Sequence, residues 1–331
     1  MRVLVIGASG FIGSHIVKKL LNEGHTVGAF VHNSKRIWRI KKEVQKGYVK
    51  LHVGDITRKG DVKSAIKKGD YEVLINTVAI LSHPDESLLK QVNALGLKNI
   101  LEVALEYNVE GIIHTSVACL QGRKAIKSEY FKTKLIGENY AREFHYKGLN
   151  TAIIRLTPVY GPLDNKGLTL IILAAANSML PMFPGSPKAK LKLIYVEDVA
   201  SYYSKLVNSK IKGLKYYTLC GEETLTLGEL FKIIEKESGG QAPIFLPHRY
   251  LQNLLAVSSS IFSKVLRIKN FAIDQEILEL FWLGNYRIKC SYMRKWKPKY
   301  SFIEGIKETI KWARKNGLSS RIRLLSLMIK G

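Results

Sequence analysis

Short apolar runs recur along the first half of the chain, and most are followed by a stretch whose apolar residues fall three and four apart. RVLVIG at the start, then TVGAFVH, YVKLHVGD, VLINTVA, GIIHTSV and TAIIRLT, are runs of the first kind, and their length and β-branched content predict strands. Between them IVKKLLNEG, NALGLKNILEVALEYN and TKLIGENYAREFHYKG carry the helical period. Parallel strands need crossover connections, so this alternation predicts an α/β fold, a doubly wound parallel sheet with helices on both faces. Ligands of such sheets gather at the carboxyl ends of the strands.

After Gly161 the alternation weakens. GLTLIILAAANSMLPMFPG reads as an apolar helix ended by Pro181 and Pro184, and KYYTLCG as a strand returning to the sheet. YVEDVASYYSKLV reads as a helix with Asp198 near its positive end, a structural role. TLTLGELFKIIEKESG predicts a helix capped by Thr226, with Glu229 completing a capping box. From Leu246 onward LPHRYLQNLLAVSSSIFSKVLRIKN is apolar and helical. The tail, LSSRIRLLSLMIKG, sets Leu318, Ile322, Leu325 and Ile329 on one face with Arg321, Arg323 and Lys330 interspersed, a basic amphipathic helix suited to a lipid interface, a partner subunit or its own domain. The expected division is a parallel-sheet domain over residues 1–162, with 191–220 returning to it, and a smaller, mostly helical part over 163–190 and 221–331 that ends in the basic tail.

Lys and Arg number 52 against 27 Asp and Glu, a net charge of +25 that implies anionic neighbours. Nucleotide, phosphorylated substrate and anionic lipid all fit, whereas specific nucleic-acid binding is not expected. The run from Arg287 to Lys299 holds Lys289, Arg294, Lys295 and Lys297 with no acid, and could grip a phosphate or an anionic membrane. Cys119, Cys220 and Cys290 show no C-x-x-C pairing, so neither a metal site nor a disulfide framework is expected. There is no signal-peptide pattern and no run of about 18 apolar residues. The expected setting is the cytoplasm, with peripheral membrane contact through the basic tail.

Two local patterns carry chemistry. Gly7, Gly10 and Gly13 lie three apart between the first strand and the first helix. A pyrophosphate needs what such a turn offers, backbone approach without Cβ atoms and free N–H groups at a helix N-terminus. A ribose 2′-hydroxyl is usually received by a carboxylate about 20 residues further on. From Thr26 to Lys42 there is none, and His32, Lys35 and Arg36 follow the second strand instead. Cations there suit a 2′-phosphate, so NADP(H) is expected in preference to NAD. In SEYFKTKLIGE, Tyr130 and Lys134 stand one helical turn apart, and a neighbouring ammonium would lower a phenol pKa that is ordinarily near 10.

IGASGFIG, GDI at 54 to 56, NALGLKNILEVA, HTS at 114 to 116, YFKTK at 130 to 134, RLTPVYGP at 155 to 162 and YVEDVA at 195 to 200 occur in this order, and WKPKYSFIEGIKETIKW follows near the end. In this order the set resembles the extended short-chain dehydrogenase/reductase superfamily, also called the NAD-dependent epimerase/dehydratase family, over almost the whole chain. The resemblance implies a Rossmann-type sheet and a cofactor held by Gly7, Ser9, Gly10, Phe11, Ile12, Gly13, His32, Lys35, Arg36, Asp55, Ile56, Thr77, Val78, Ala79, Asn93, Thr115, Tyr130, Lys134, Pro158 and Val159. Asp55 would lie near the adenine and Lys134 near the nicotinamide ribose. It also implies hydride transfer with Tyr130 and Lys134 as the catalytic pair, and homodimers are frequent among relatives.

One departure matters. Aligning HTSVACLQG on the family's hydroxyl-bearing run puts Val117 at the position of the catalytic Ser and Gln121 where Tyr is usual. Val cannot donate a hydrogen bond, and Thr115, on the same strand face as Val117 but set back by roughly 7 Å, is the expected substitute, with Ser116 as the other hydroxyl. Ala118, Cys119 and Leu120 stand where dehydratases carry an Asp-Glu pair, which argues against dehydration. The expected function is an NADP(H)-dependent oxidoreductase acting on a carbonyl or alcohol of a small hydrophobic or phosphorylated substrate, akin to the dihydroflavonol-reductase and 3β-hydroxysteroid-dehydrogenase branches. The alternatives are a nucleotide-sugar epimerase and a non-catalytic NADPH-binding protein like the accessory subunit of respiratory complex I.

Overall fold

A computed structural model describes residues 1–81, 83–118, 128–246, 281–282, 284 and 287–318. The chain forms two compact units, the first made of Met1–Thr157, Val196–Leu219 and Lys289–Trp296, the second of Pro158–Tyr195, Cys220–Ile288 and Lys297–Gly331.

The first unit is built on seven strands: β1 Arg2–Ile6, β2 Thr26–Val31, β3 Val49–Val53, β4 Val73–Asn76, β5 Gly111–Val117, β6 Thr151–Leu156 and β7 Leu214–Leu219. All pair in parallel, in the order β7-β6-β5-β4-β1-β2-β3. Every apolar run of the first 160 residues is therefore a strand, and KYYTLCG does return to the sheet, as β7 beside β6. The chain winds outward through β2 and β3, then restarts at β4 on the other side of β1. That reversal opens a crevice between the carboxyl ends of β1 and β4.

Helices α1 (Phe11–Asn22), α2 (Lys41–Gln45), α3 (Lys59–Gly69), α4 (Glu86–Lys90), α5 (Gly96–Glu106) and α6 (Glu129–Tyr146) supply the crossovers. A five-residue π-helical turn, Gln91–Leu95, joins α4 to α5 and extends the helix expected from Asn93 backwards to Glu86. Successive side chains of β5 show the two layers: Thr115 reaches Tyr203 on the helix Val196–Asn208, whereas Ser116 reaches Glu138 on α6. Leu4, Ile6, Leu74, Leu97, Ile100 and Leu101 are buried in one cluster of this unit. Each such side chain contributes roughly 1.5–3 kcal/mol by leaving water.

In the second unit α7 (Gly167–Ala176), the helix Leu227–Ser238 and the helix Phe302–Lys315 surround Phe183, Phe231 and Phe281. The capping box is formed as expected, Thr226 and Glu229 each bonding the other's backbone N–H, and Ser301 with Glu304 makes a second. Two expectations are corrected. α7 stops at Ala176, ahead of both prolines, because the Asn177 side chain donates to the Leu173 carbonyl and Ser178 takes the left-handed conformation, with φ of 54°. Cys220 and Cys290 are disulfide-bonded. Their distance in sequence hid this pairing, since Thr218 and Ser291 become antiparallel neighbours only once the strands are in place.

Among the described residues no helix is long and apolar enough to cross a membrane, and no three His, Cys, Asp or Glu side chains gather as a metal site. The segment beyond Leu246, up to 280, and the basic tail beyond Leu318 lie outside the described residues, as do Cys119, Leu120 and Gln121.

Candidate active site

At the end of β1 the chain turns sharply. Gly7 has φ of +86°, a conformation that costs an L side chain about 1–2 kcal/mol, and its carbonyl accepts the Gly10 N–H at 2.9 Å. A Cβ on Gly13 would stand 2.3 Å from the Gly7 oxygen, so the helix can begin this close to the strand only with glycine there. α1 begins at Phe11 with Gly10 at its cap position, so it has no side-chain cap, and no acid lies in its first turn. Its leading N–H groups, without a side-chain cap, stand at the positive dipole end beside the carboxyl end of β1, an arrangement that suits a pyrophosphate. Ser9, Phe11 and Ile12 lie on this turn and on the first turn of α1.

The loop after β2 supplies cations. Asn33 caps a short 3-10 turn, Ser34–Arg36, by accepting the Lys35 N–H at 2.8 Å, and His32, Lys35 and Arg36 are all exposed. Nδ1 of His32 lies 3.8 Å from the Asp55 carboxylate. Burial alone would raise the Asp55 pKa, but the Thr57 N–H and hydroxyl, with His32 and Arg58 nearby, hold it below the usual carboxylate value. Ile56 belongs to the hydrophobic core.

Sequence reading missed Arg39. The 3-10 turn bends the chain so that this guanidinium stacks over Trp38, 4.2 Å from the ring centroid, and donates to the Ser9 carbonyl of the glycine turn at 3.2 Å. Its separation of 30 residues from Ser9 gave no local signal.

After β4, the Thr77 hydroxyl donates to the Ile6 carbonyl at 3.0 Å, tying this strand end to the glycine turn, and the Val78 N–H donates to Asn76. Asn93 is buried in the π-turn and fully engaged: Oδ1 accepts from Ile80 N, and Nδ2 donates to the Ile80 carbonyl and to the Thr133 hydroxyl. Thr133 in turn donates to the Tyr130 carbonyl at 2.7 Å. Asn93 therefore fixes both the loop holding Thr77, Val78 and Ala79 and the first turn of α6, where Tyr130 sits half-buried.

Lys134 follows one turn later and is only 2% exposed. Its Nζ donates to the Thr115 carbonyl at 2.6 Å. Burial lowers its pKa to about 8, with Glu138 opposing the shift. His114 is fully buried, its Nε2 has no hydrogen-bond partner, and burial with the Lys134 charge keeps it neutral.

The hydroxyls of β5 are committed elsewhere. Thr115 Oγ1 lies 2.8 Å from the Tyr203 phenol, on the face away from α6, so its carbonyl and not its hydroxyl meets Lys134. Ser116 donates to Glu138 at 2.6 Å. Val117, at the end of the strand, has a side chain with no polar atom. Pro158 and Val159 lie in the second unit, where Val159 pairs with Ile194.

The first unit thus carries a glycine turn, an uncapped helix start and a buried lysine one turn beyond a tyrosine. The profile of the NAD dependent epimerase/dehydratase family matches residues 3–218. The chain belongs to this family. By family the chain is oxidoreductase- or epimerase-like. The chain is 27% identical to a Methanocaldococcus jannaschii protein named provisionally as a UDP-glucose 4-epimerase, over 95% of this chain and 99% of the other. It is 29% identical to the human decarboxylating sterol-4-alpha-carboxylate 3-dehydrogenase, over 60% of this chain and 55% of that protein. In fold alone it resembles the UDP-glucose 4-epimerase of Thermotoga maritima crystallised with UDP-glucose, with a TM-score of 0.74, 20% identity, and coverage of 96% of this chain and 99% of that one.

Proposed function

We propose that this epimerase/dehydratase-family member is an NADP(H)-dependent oxidoreductase that acts on a carbonyl or alcohol of a small hydrophobic, lipid-class substrate. The observation that carries the reading is the Lys134 ammonium, buried against the Thr115 carbonyl one helical turn beyond Tyr130. When bound, the nicotinamide supplies or accepts the hydride. Tyr130 exchanges the proton with the substrate oxygen, and Lys134 stabilises the phenolate by charge. Thr115 anchors that lysine through its carbonyl, and Asn93 through Thr133 steadies the turn that carries the tyrosine. Similarity to a sterol dehydrogenase supports a hydrophobic substrate, and the charge of +25 supports work beside an anionic surface, where such a substrate would reside.

The absence of a carboxylate from Thr26 to Lys42, together with Lys35, Arg36 and Arg39, supports NADP(H). By isothermal titration NADPH is expected to bind at least about tenfold tighter than NADH, and Arg36→Ala to cost NADPH alone about tenfold. Tighter binding of NADH would remove the cofactor assignment.

The lysine gives the reaction an upper pH limit. Because Lys134 titrates near 8, alcohol oxidation with NADP+ should slow above that pH as the ammonium is lost and the phenol becomes harder to ionise. The pH profile of kcat should show this fall in the native chain and lose it in Lys134→Arg, whose guanidinium stays charged.

A second reading, a protein that holds NADPH without turnover, is favoured by the pairing of Thr115 with Tyr203 and of Ser116 with Glu138, which leaves Val117 where a donor would stand. Binding of NADPH without its consumption across a panel of ketones and sterol-like alcohols would select it.

A further inference from the structure

Glu138 is 3% exposed and lies one helical turn beyond Lys134 on the same buried face of α6. Two side chains make three hydrogen bonds to its carboxylate: the Ser116 hydroxyl to Oε1 at 2.6 Å, Arg155 Nε to Oε1 at 3.0 Å and Arg155 Nη2 to Oε2 at 2.6 Å. The guanidinium is itself covered by the Tyr216 ring, 5.0 Å from its centroid. Two consecutive residues of β5 thus hold two consecutive turns of α6, Thr115 through its carbonyl to Lys134 and Ser116 through its hydroxyl to Glu138.

A buried ion pair is weak evidence of stability, because apolar side chains of similar volume commonly do as well. Its position says more. His114 of β5, which feels the Lys134 charge, is neutral; Tyr130 stands one turn back on the same helix, and Arg155 of β6 is paired with Glu138. The π-turn and α5 present Asn93 and Leu97, which do not titrate. Glu129 and Lys132 pair with each other at the solvent side of α6, with Glu86 of α4 beside Lys132. Glu138 is the buried carboxylate that this arrangement brings next to the lysine, and its charge opposes the effect of burial there.

We propose that Glu138 is a positioning residue of the active site, whose carboxylate, clamped by Ser116 and Arg155, keeps the buried Lys134 ammonium charged and in place. The inference rests on the reading of Lys134 as the electrostatic partner of Tyr130. Arg155 sets the strength of the effect: its guanidinium, paired with both carboxylate oxygens, offsets part of the field that reaches the lysine.

The test reads Lys134 directly. In full-length chain labelled with 13C at lysine Cε, the Lys134 resonance, assigned by its loss in Lys134→Arg, is followed against pH by NMR. Glu138→Gln should lower the Lys134 midpoint by about one pH unit. Arg155→Gln, which keeps the carboxylate and gives it an amide donor, should raise the midpoint. Opposite shifts support the proposal. Unchanged midpoints, or shifts in the same direction, overturn it, because a purely structural clamp would loosen equally from either side. If Glu138→Gln does not fold, the sign of the Arg155→Gln shift decides alone. The titration needs no substrate, so it stands apart from the turnover test of Tyr130: a chain in which Tyr130→Phe keeps full turnover would end the oxidoreductase mechanism yet leave the Lys134 midpoints to be read.

Discussion

Tyr130→Phe is expected to lower turnover of any accepted ketone or alcohol by about 10²–10⁴-fold while leaving NADPH affinity within about twofold. The substitution removes one oxygen. The ring keeps its tilted contact with Phe131, centroids 5.3 Å apart, and the Tyr130 backbone carbonyl still accepts from Thr133, so the first turn of α6 keeps its place. What is lost is a phenol standing at the N-terminal end of an 18-residue helix, where the dipole favours negative charge, with an ammonium one turn behind it. Both influences act on the phenolate and neither acts on a phenyl ring. The measurement is steady-state consumption of NADPH together with coenzyme titration of the same preparation. Unchanged kcat would show that the proton comes from elsewhere and end the mechanism; a matching loss of NADPH affinity would mean that the tyrosine serves binding.

The residues that were legible in the sequence are those whose role is set by near neighbours. Apolar runs became strands because a sheet covered on both faces demands continuous hydrophobicity, and the glycines announced their turn because the spacing itself produces the close approach. Tyr130 and Lys134 were legible for the same reason, since one helical turn brings them together whatever the rest of the chain does. The hydroxyls of β5 were not. Which way Thr115 and Ser116 would be engaged depended on Tyr203, 88 residues away, and on Glu138 with Arg155, none of which has a fixed spacing from the strand. Arg39 was hidden by the 3-10 turn that redirects the chain toward Ser9, and the disulfide by the late segment that returns beside β7. Local geometry was thus readable, whereas the commitment of each polar group to a distant partner was not.

Gly13→Ala should weaken NADPH binding on the order of 100-fold and lower the stability of the coenzyme-free chain by about 1–3 kcal/mol. The added methyl would lie 2.3 Å from the Gly7 carbonyl oxygen and 2.9 Å from the Thr77 hydroxyl. The first contact is with backbone, and Gly7 cannot yield readily, since its oxygen also receives the Gly10 N–H and its own N–H is bonded to Phe30. Relief must therefore come from moving the start of α1 away from β1, which misdirects the uncapped N–H groups that suit a pyrophosphate and strains the tie between Thr77 and Ile6. Gly10→Ala makes the instructive control. Its methyl would meet the same oxygen at 3.1 Å, a tight contact that a small shift absorbs, so the fold should hold while the methyl takes up space at the helix start. Denaturant unfolding and coenzyme titration of the two variants should therefore separate: both effects large at Gly13, and at Gly10 a loss of binding with little loss of stability. Normal coenzyme binding by Gly13→Ala would mean that the dinucleotide does not sit on this turn, and the assignment of the site would fall with it.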